Sequence, residues 1–97
     1  MASNFRIITR QKNSNLHIDL IGEFDGFSAT ELIDILKDSC NKVQNVFINT
    51  NGLILIHPVA LDIFQKECLL TDSFQDLRFI GKYGNIMEPQ ESELFWY

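Results

Sequence analysis

The side chains able to do chemistry in this chain are few. There are two histidines (His17, His57), two cysteines (Cys40, Cys68), and acids of which Asp25 and Asp62 sit near turn residues. General acid–base work needs a titratable group held against a partner in a shaped pocket. The best pairings are His57 with Asp62 nearby in sequence, or His57 with Ser28 or Asp25 across two loops. The sequence has no GxSxG elbow, no glycine-rich phosphate loop and no HExxH. No catalytic residue is therefore expected, and the chain is read as not an enzyme. His57 is more simply a helix-start residue whose ring caps or packs. His17 falls on the polar side of an alternating segment, as a solvated strand histidine. The cysteines lie in helical patterns, without CxxC or Cys/His zinc spacing, and are read as reduced core residues. Two lone carboxylates are too few for calcium. Neither metal nor cofactor is expected.

Composition limits the remaining classes. The chain has 97 residues, 45% hydrophobic and 11% aromatic, enough for one packed domain and too apolar for a disordered one. Thirteen acids against 8 bases give a net charge of -5, and the bases are scattered. A nucleic-acid partner is not expected without a basic stripe. No basic segment followed by an apolar run opens the chain, and no uncharged run is long enough for a membrane helix. The expectation is a cytoplasmic protein with no membrane partner.

The elements that must position these groups follow in order. Phe5 to Arg10 alternates, with Phe5, Ile7 and Thr9 opposite Arg6, Ile8 and Arg10. Gln11 to Asn15 is a polar turn, and Leu16 to Leu20 alternates again, so the two strands form an antiparallel hairpin. Gly22 to Phe27 leaves the strand through two glycines. Ser28-Ala29-Thr30-Glu31 has the form of a capping box, with Ser28 as the cap. The helix that follows buries Ala29, Leu32, Ile33, Leu36 and Cys40 and ends near Asn41 and Lys42.

The central stretch runs from Val46 to Leu61. Val43 to Thr50 is the third strand, apolar at consecutive positions Val46, Phe47 and Ile48, so both its faces are expected to be covered. Leu53 to Ile56 is read as an apolar connection tucked beneath the domain. Pro58 suits the first turn of a second helix, whose buried stripe is Val59, Ala60, Ile63, Phe64 and Cys68. Leu77 to Gly81 is the fourth strand. Residues 83–92 are expected to be loop. Leu94-Phe95-Trp96-Tyr97 either folds back on the sheet, contacts a second copy or stays free. The result is a single α/β domain over 1–97, with a core over 5–82 and a loop and aromatic tail over 83–97. Its order is β-β-α-β-α-β, a four-stranded mixed sheet with two main helices on one face.

Order and local residues resemble the STAS domain family, the sulphate-transporter and anti-sigma-factor-antagonist fold. Gly22-Glu23-Phe24-Asp25 followed by Ser28 to Leu32 looks like that family's "G-E-L-D" turn and first helix. Val46-Phe47-Ile48-Asn49 and Leu53 to Ile56 look like its central strand and the approach to the second helix. The likeness covers roughly residues 5–82. Switched members carry Asp-Ser-Ser-Gly at this turn, where a protein kinase phosphorylates the second serine. Aligned without gaps, this chain has His57-Pro58-Val59-Ala60. The acceptor position falls on Val59, which has no hydroxyl, so no phosphorylation is expected there.

The resemblance implies a non-enzymatic regulatory interaction domain. Its partner would be an anti-sigma-type kinase or a larger regulatory assembly, seated on Asp25, Gly26, Phe27, His57, Pro58, Val59 and Asp62. Two other readings stay open. One is self-association, with Phe95, Trp96 and Tyr97 as the contact and a homodimer as the product. The other is a STAS-like domain that binds a small ligand.

Overall fold

The computed structural model describes residues 4–39, 42–70 and 77–88. Strands β1 (Phe5–Lys12) and β2 (Asn15–Phe24) form the expected antiparallel hairpin, with Ile7 opposite Leu20 and Arg10 opposite His17. The turn is only Asn13-Ser14, and Asn13 takes a positive φ of 58°, which asparagine tolerates. β2 runs past Gly22 to Phe24, so Gly22 is a strand residue rather than an exit. Its φ is 100°, and a β-carbon there would collide with the Asn4 carbonyl.

Helix α1 (Gly26–Ser39) starts before the expected Ser28. The cap is Asp25: its carboxylate accepts from the Ser28 amide at 2.9 Å, and its carbonyl accepts from the Ala29 amide. Ser28 therefore lies inside the first turn and is buried. The expected stripe of Ala29, Leu32, Ile33 and Leu36 is buried as read; Cys40 lies outside the described residues.

Strand β3 is continuous over Asn45–Ile56, which corrects the separate connection expected at Leu53 to Ile56. It pairs parallel with β2 but slips register twice, between Asp19 and Ile21 and between Gly22 and Glu23 of β2. Each slip gives β3 one residue more than its partner, as a bulge does, and the inward–outward alternation resets. Leu53 is buried while Ile54 and Leu55 face outward. Gly52 permits the irregularity, since a β-carbon there would lie 2.7 Å from the Leu20 carbonyl oxygen.

Helix α2 (Pro58–Leu70) opens at the proline as expected, with His57 as its cap residue. Its stripe is narrower than read: Ala60 and Phe64 are buried, but Val59 is 67% exposed and Ile63 lies on the surface. Strand β4 (Leu77–Ile80) pairs parallel with β3 and completes the mixed sheet, in the order β1-β2-β3-β4. The segment expected as loop contains one helical turn, α3 (Gly84–Met87), with Met87 fully buried. Buried Thr50 holds it: the hydroxyl donates to the Ile80 carbonyl at 2.9 Å and accepts from the Tyr83 amide at 3.0 Å.

Both crossovers, β2-α1-β3 and β3-α2-β4, advance one strand in the same direction, and right-handed crossovers then place both helices on one face. There α1 and α2 lie side by side, joined by a Lys37–Glu67 ion pair at 3.0 Å. The core fills the space between: Leu16, Ile18, Leu20, Phe24, Val46, Ile48 and Leu53 from the sheet meet Leu32, Leu36 and Phe64. Each fully buried side chain of this size contributes about 1.5–3 kcal/mol. On the opposite face no helix packs among the described residues, so the expectation that both faces of β3 are covered is not met there. Phe47 instead stacks on His17, with ring centroids 5.0 Å apart. His17 is thus half-buried rather than simply solvated.

Candidate functional site

The C-terminal ends of β2 and β3 deliver the two helix starts to one corner. The tie between them is a backbone bond: the His57 amide donates to the Phe24 carbonyl at 3.0 Å. A second contact is steric, since a β-carbon at Gly26 would lie 3.8 Å from Ile63 Cδ1. That is an ordinary van der Waals distance, so the first turn of α1 lies against α2 with room for a small side chain at Gly26.

At this corner the charged groups are arranged by these ends. The Asp25 carboxylate takes both the amide and the hydroxyl of Ser28, each at 2.9 Å. The hydroxyl oxygen also lies 3.1 Å from the Glu23 carbonyl oxygen, so its single proton is donated within the turn either way. The Ser28 amide bond, then its hydroxyl, hold the Asp25 carboxyl below its usual value, and His57 adds to this in the same direction. His57 Nε2 lies 3.6 Å from Glu23 Oε1, with both side chains partly exposed. Asp62 pairs with Lys66 one turn on, at 3.2 Å, rather than with His57.

The same two first turns carry apolar side chains that burial leaves outside. Phe27, in the first turn of α1, is 70% exposed, and Val59 occupies the corresponding turn of α2. Pro58 is exposed beside Val59. The expected surface residues Asp25, Gly26, Phe27, His57, Pro58 and Val59 are thus brought to one corner, with Asp62 directed along α2. Glu23 belongs with them and was not picked out. The sequence pattern ends the second strand at Leu20 and puts Glu23 in the exit from it; its place on β2 and its nearness to His57 depend on the pairing of Glu23 with Leu55 across the bulge. Phe95, Trp96 and Tyr97 lie outside the described residues. Among the described residues, no three of His, Cys, Asp and Glu converge as metal ligands.

No family model and no curated protein matches the chain. Among solved structures it is similar to an uncharacterized protein of the DUF3478 family with a SpoIIAA-like fold, from Shewanella loihica PV-4. The likeness has a TM-score of 0.60 at 17% identity, over 84% of this chain and 72% of that one. At that identity the similarity establishes the fold alone. The fold is SpoIIAA-like, an α/β arrangement on a four-stranded mixed sheet. No helix among the described residues is long and apolar enough to cross a membrane.

Proposed function

We propose that the chain is a non-enzymatic interaction module of the cytoplasm whose protein partner seats on the paired starts of α1 and α2. The observation that carries this reading is the exposure of Phe27 and Val59 on adjacent first turns. An apolar centre with a rim of charge is the composition of an interaction patch, and aromatic side chains dominate the energy of such patches. Here the charges at the corner are Asp25, Glu23 and His57, with the Asp62–Lys66 pair farther along α2.

The local chemistry supports binding over catalysis. The Ser28 hydroxyl is buried and spent on its own turn, and His57 has a carboxylate neighbour but, among the described residues, no nucleophile hydrogen-bonded to it. The resemblance to anti-sigma-factor antagonists points to a kinase-like or multi-subunit regulatory partner. With Val59 at the acceptor position, such binding would not be governed by phosphate at residues 57–60.

Affinity capture from source-cell extract tests the reading. The full chain and a Phe27→Glu/Val59→Glu variant serve as parallel baits, with circular dichroism confirming that both are folded. The intact bait is expected to retain a kinase-like or regulatory assembly that the variant loses. Equal capture by both baits, or capture by neither, removes this surface from the proposal.

A further inference from the structure

The open face of the sheet gathers bases that lie apart in the sequence. Of the chain's 8 Lys and Arg residues, Arg6, Arg10, Lys12 and Arg78 stand there, opposite Ile21, His17, Asn15 and Phe47 respectively. All four are exposed. On β1, residues two apart share a face, so a basic stripe forms without a run of bases. The acids of this face are Asp19, engaged by Arg10 at 3.2 Å, and Glu23, at the corner beside His57. The helices on the other face carry Glu31, Asp34, Asp38, Asp62 and Glu67 against Lys37 and Lys66. A chain of net charge -5 is thus polarised, with half its bases on one sheet face.

At the centre of this face, register sets Arg10, His17, Phe47 and Arg78 in one row across the four strands. The His17 and Phe47 rings stack, with centroids 5.0 Å apart and planes 16° apart. Stacking between β2 and β3 leaves each ring one outer face, that of His17 toward β1 and Arg10, that of Phe47 toward β4 and Arg78. An aromatic face beside a guanidinium suits an unpaired nucleotide, whose base stacks on the ring while its phosphate meets the charge. Asp19 in the next row uses Oδ2 for Arg10, and its Oδ1 can accept from a ribose 2′-hydroxyl. Two copies meeting face to face here would set the same bases against each other, which disfavours self-association through this surface.

We propose that the open face of the sheet binds single-stranded RNA. A base stacks on each outer face of the His17–Phe47 pair, and Arg10, Arg78 and the Arg6–Lys12 stripe hold the phosphates. The absence of a basic run in the sequence, which weighed against nucleic acid, does not bear on a stripe assembled by alternation and register. The corner formed by the helix starts is left free, so this inference stands independently of the partner reading.

Fluorescence anisotropy of a labelled oligouridylate of about twelve nucleotides, titrated with the full chain, tests this. An Arg10→Glu/Arg78→Glu variant and a Phe47→Leu variant are compared with the native chain, and far-ultraviolet circular dichroism checks that each is folded. The expected result is saturable binding that weakens about tenfold or more between about 50 and about 200 mM salt, as three or four phosphate contacts require. Charge reversal should weaken binding about tenfold or more, and Phe47→Leu about fivefold or more. The matching deoxyuridine oligomer should bind several-fold more weakly. No anisotropy rise at low salt, or binding unchanged by the charge reversal, overturns the proposal. Binding unchanged by Phe47→Leu overturns the stacked base. Polyglutamate that competes as well as unlabelled RNA overturns it in favour of an acidic polypeptide, and equal binding of the deoxy oligomer overturns the choice of RNA.

Discussion

Asp25 is where a single side chain does most to define the candidate site. It caps α1 and lies under the influence of His57. Its carboxyl is held below the ordinary value when folded, whereas in the unfolded chain it titrates near about 3.9. The stabilisation is therefore complete above about pH 4 and is lost as pH falls through the lower folded value. Asp25→Asn should be less stable than the native chain at neutral pH, and the gap should close in acid. Urea midpoints measured from pH 7 down to pH 2.5 check this; a gap constant with pH would assign the cap to geometry rather than charge. Cys68 offers a second test at this scale. Burial pushes its thiol up to about 12. The thiolate is the reactive form, so native Cys68 should alkylate at pH 8 at least about a hundredfold more slowly than in urea. Peptide mapping after timed iodoacetamide treatment reads that rate. The cysteine's place in the core pattern was legible from spacing; the cap was not. Ser28 has the side chain of a cap, and only the path of β2 to Phe24 shows that Asp25 arrives first.

At the scale of elements, β3 decides the shape of the molecule. A uniform apolar run gives no sign of which residues point inward once bulges interrupt a strand. Here Leu53 is buried and its neighbours Ile54 and Leu55 are not. Leu53→Ala should cost about 2–5 kcal/mol, and Ile54→Ala within about 0.5 kcal/mol, by urea denaturation. Similar costs at both positions would contradict the continuous strand. The Thr50 latch between β3, β4 and α3 was equally invisible, because its partners lie some thirty positions away. Thr50→Val keeps the shape but strands the Tyr83 amide, and should cost about 1–3 kcal/mol. Amide exchange at Tyr83 and Met87 should accelerate more than exchange in β2.

Over the whole molecule, one aromatic file joins the layers. Phe5, Phe24, Phe64 and Phe79 meet edge to face in succession, with centroids 5.9, 6.1 and 5.8 Å apart, linking β1, β2, α2 and β4. Phe64 is central and fully buried. Phe64→Ala should destabilise the chain by about 3–5 kcal/mol, a large share of the stability of a domain this size. A loss below about 1 kcal/mol in urea denaturation would mean that the file is not continuous. By itself the sequence determined the order of the two crossovers, the antiparallel hairpin, the buried face of α1 and the proline start of α2. Those features rest on periodicity and on residues acting on their immediate neighbours. Tertiary structure alone decided the bulged register of β3, the exposure of Val59, the closeness of Glu23 to His57, and the row of Arg10, His17, Phe47 and Arg78. Each depends on which strand lies beside which and in what register, and that is set by the packing of distant segments rather than by local pattern.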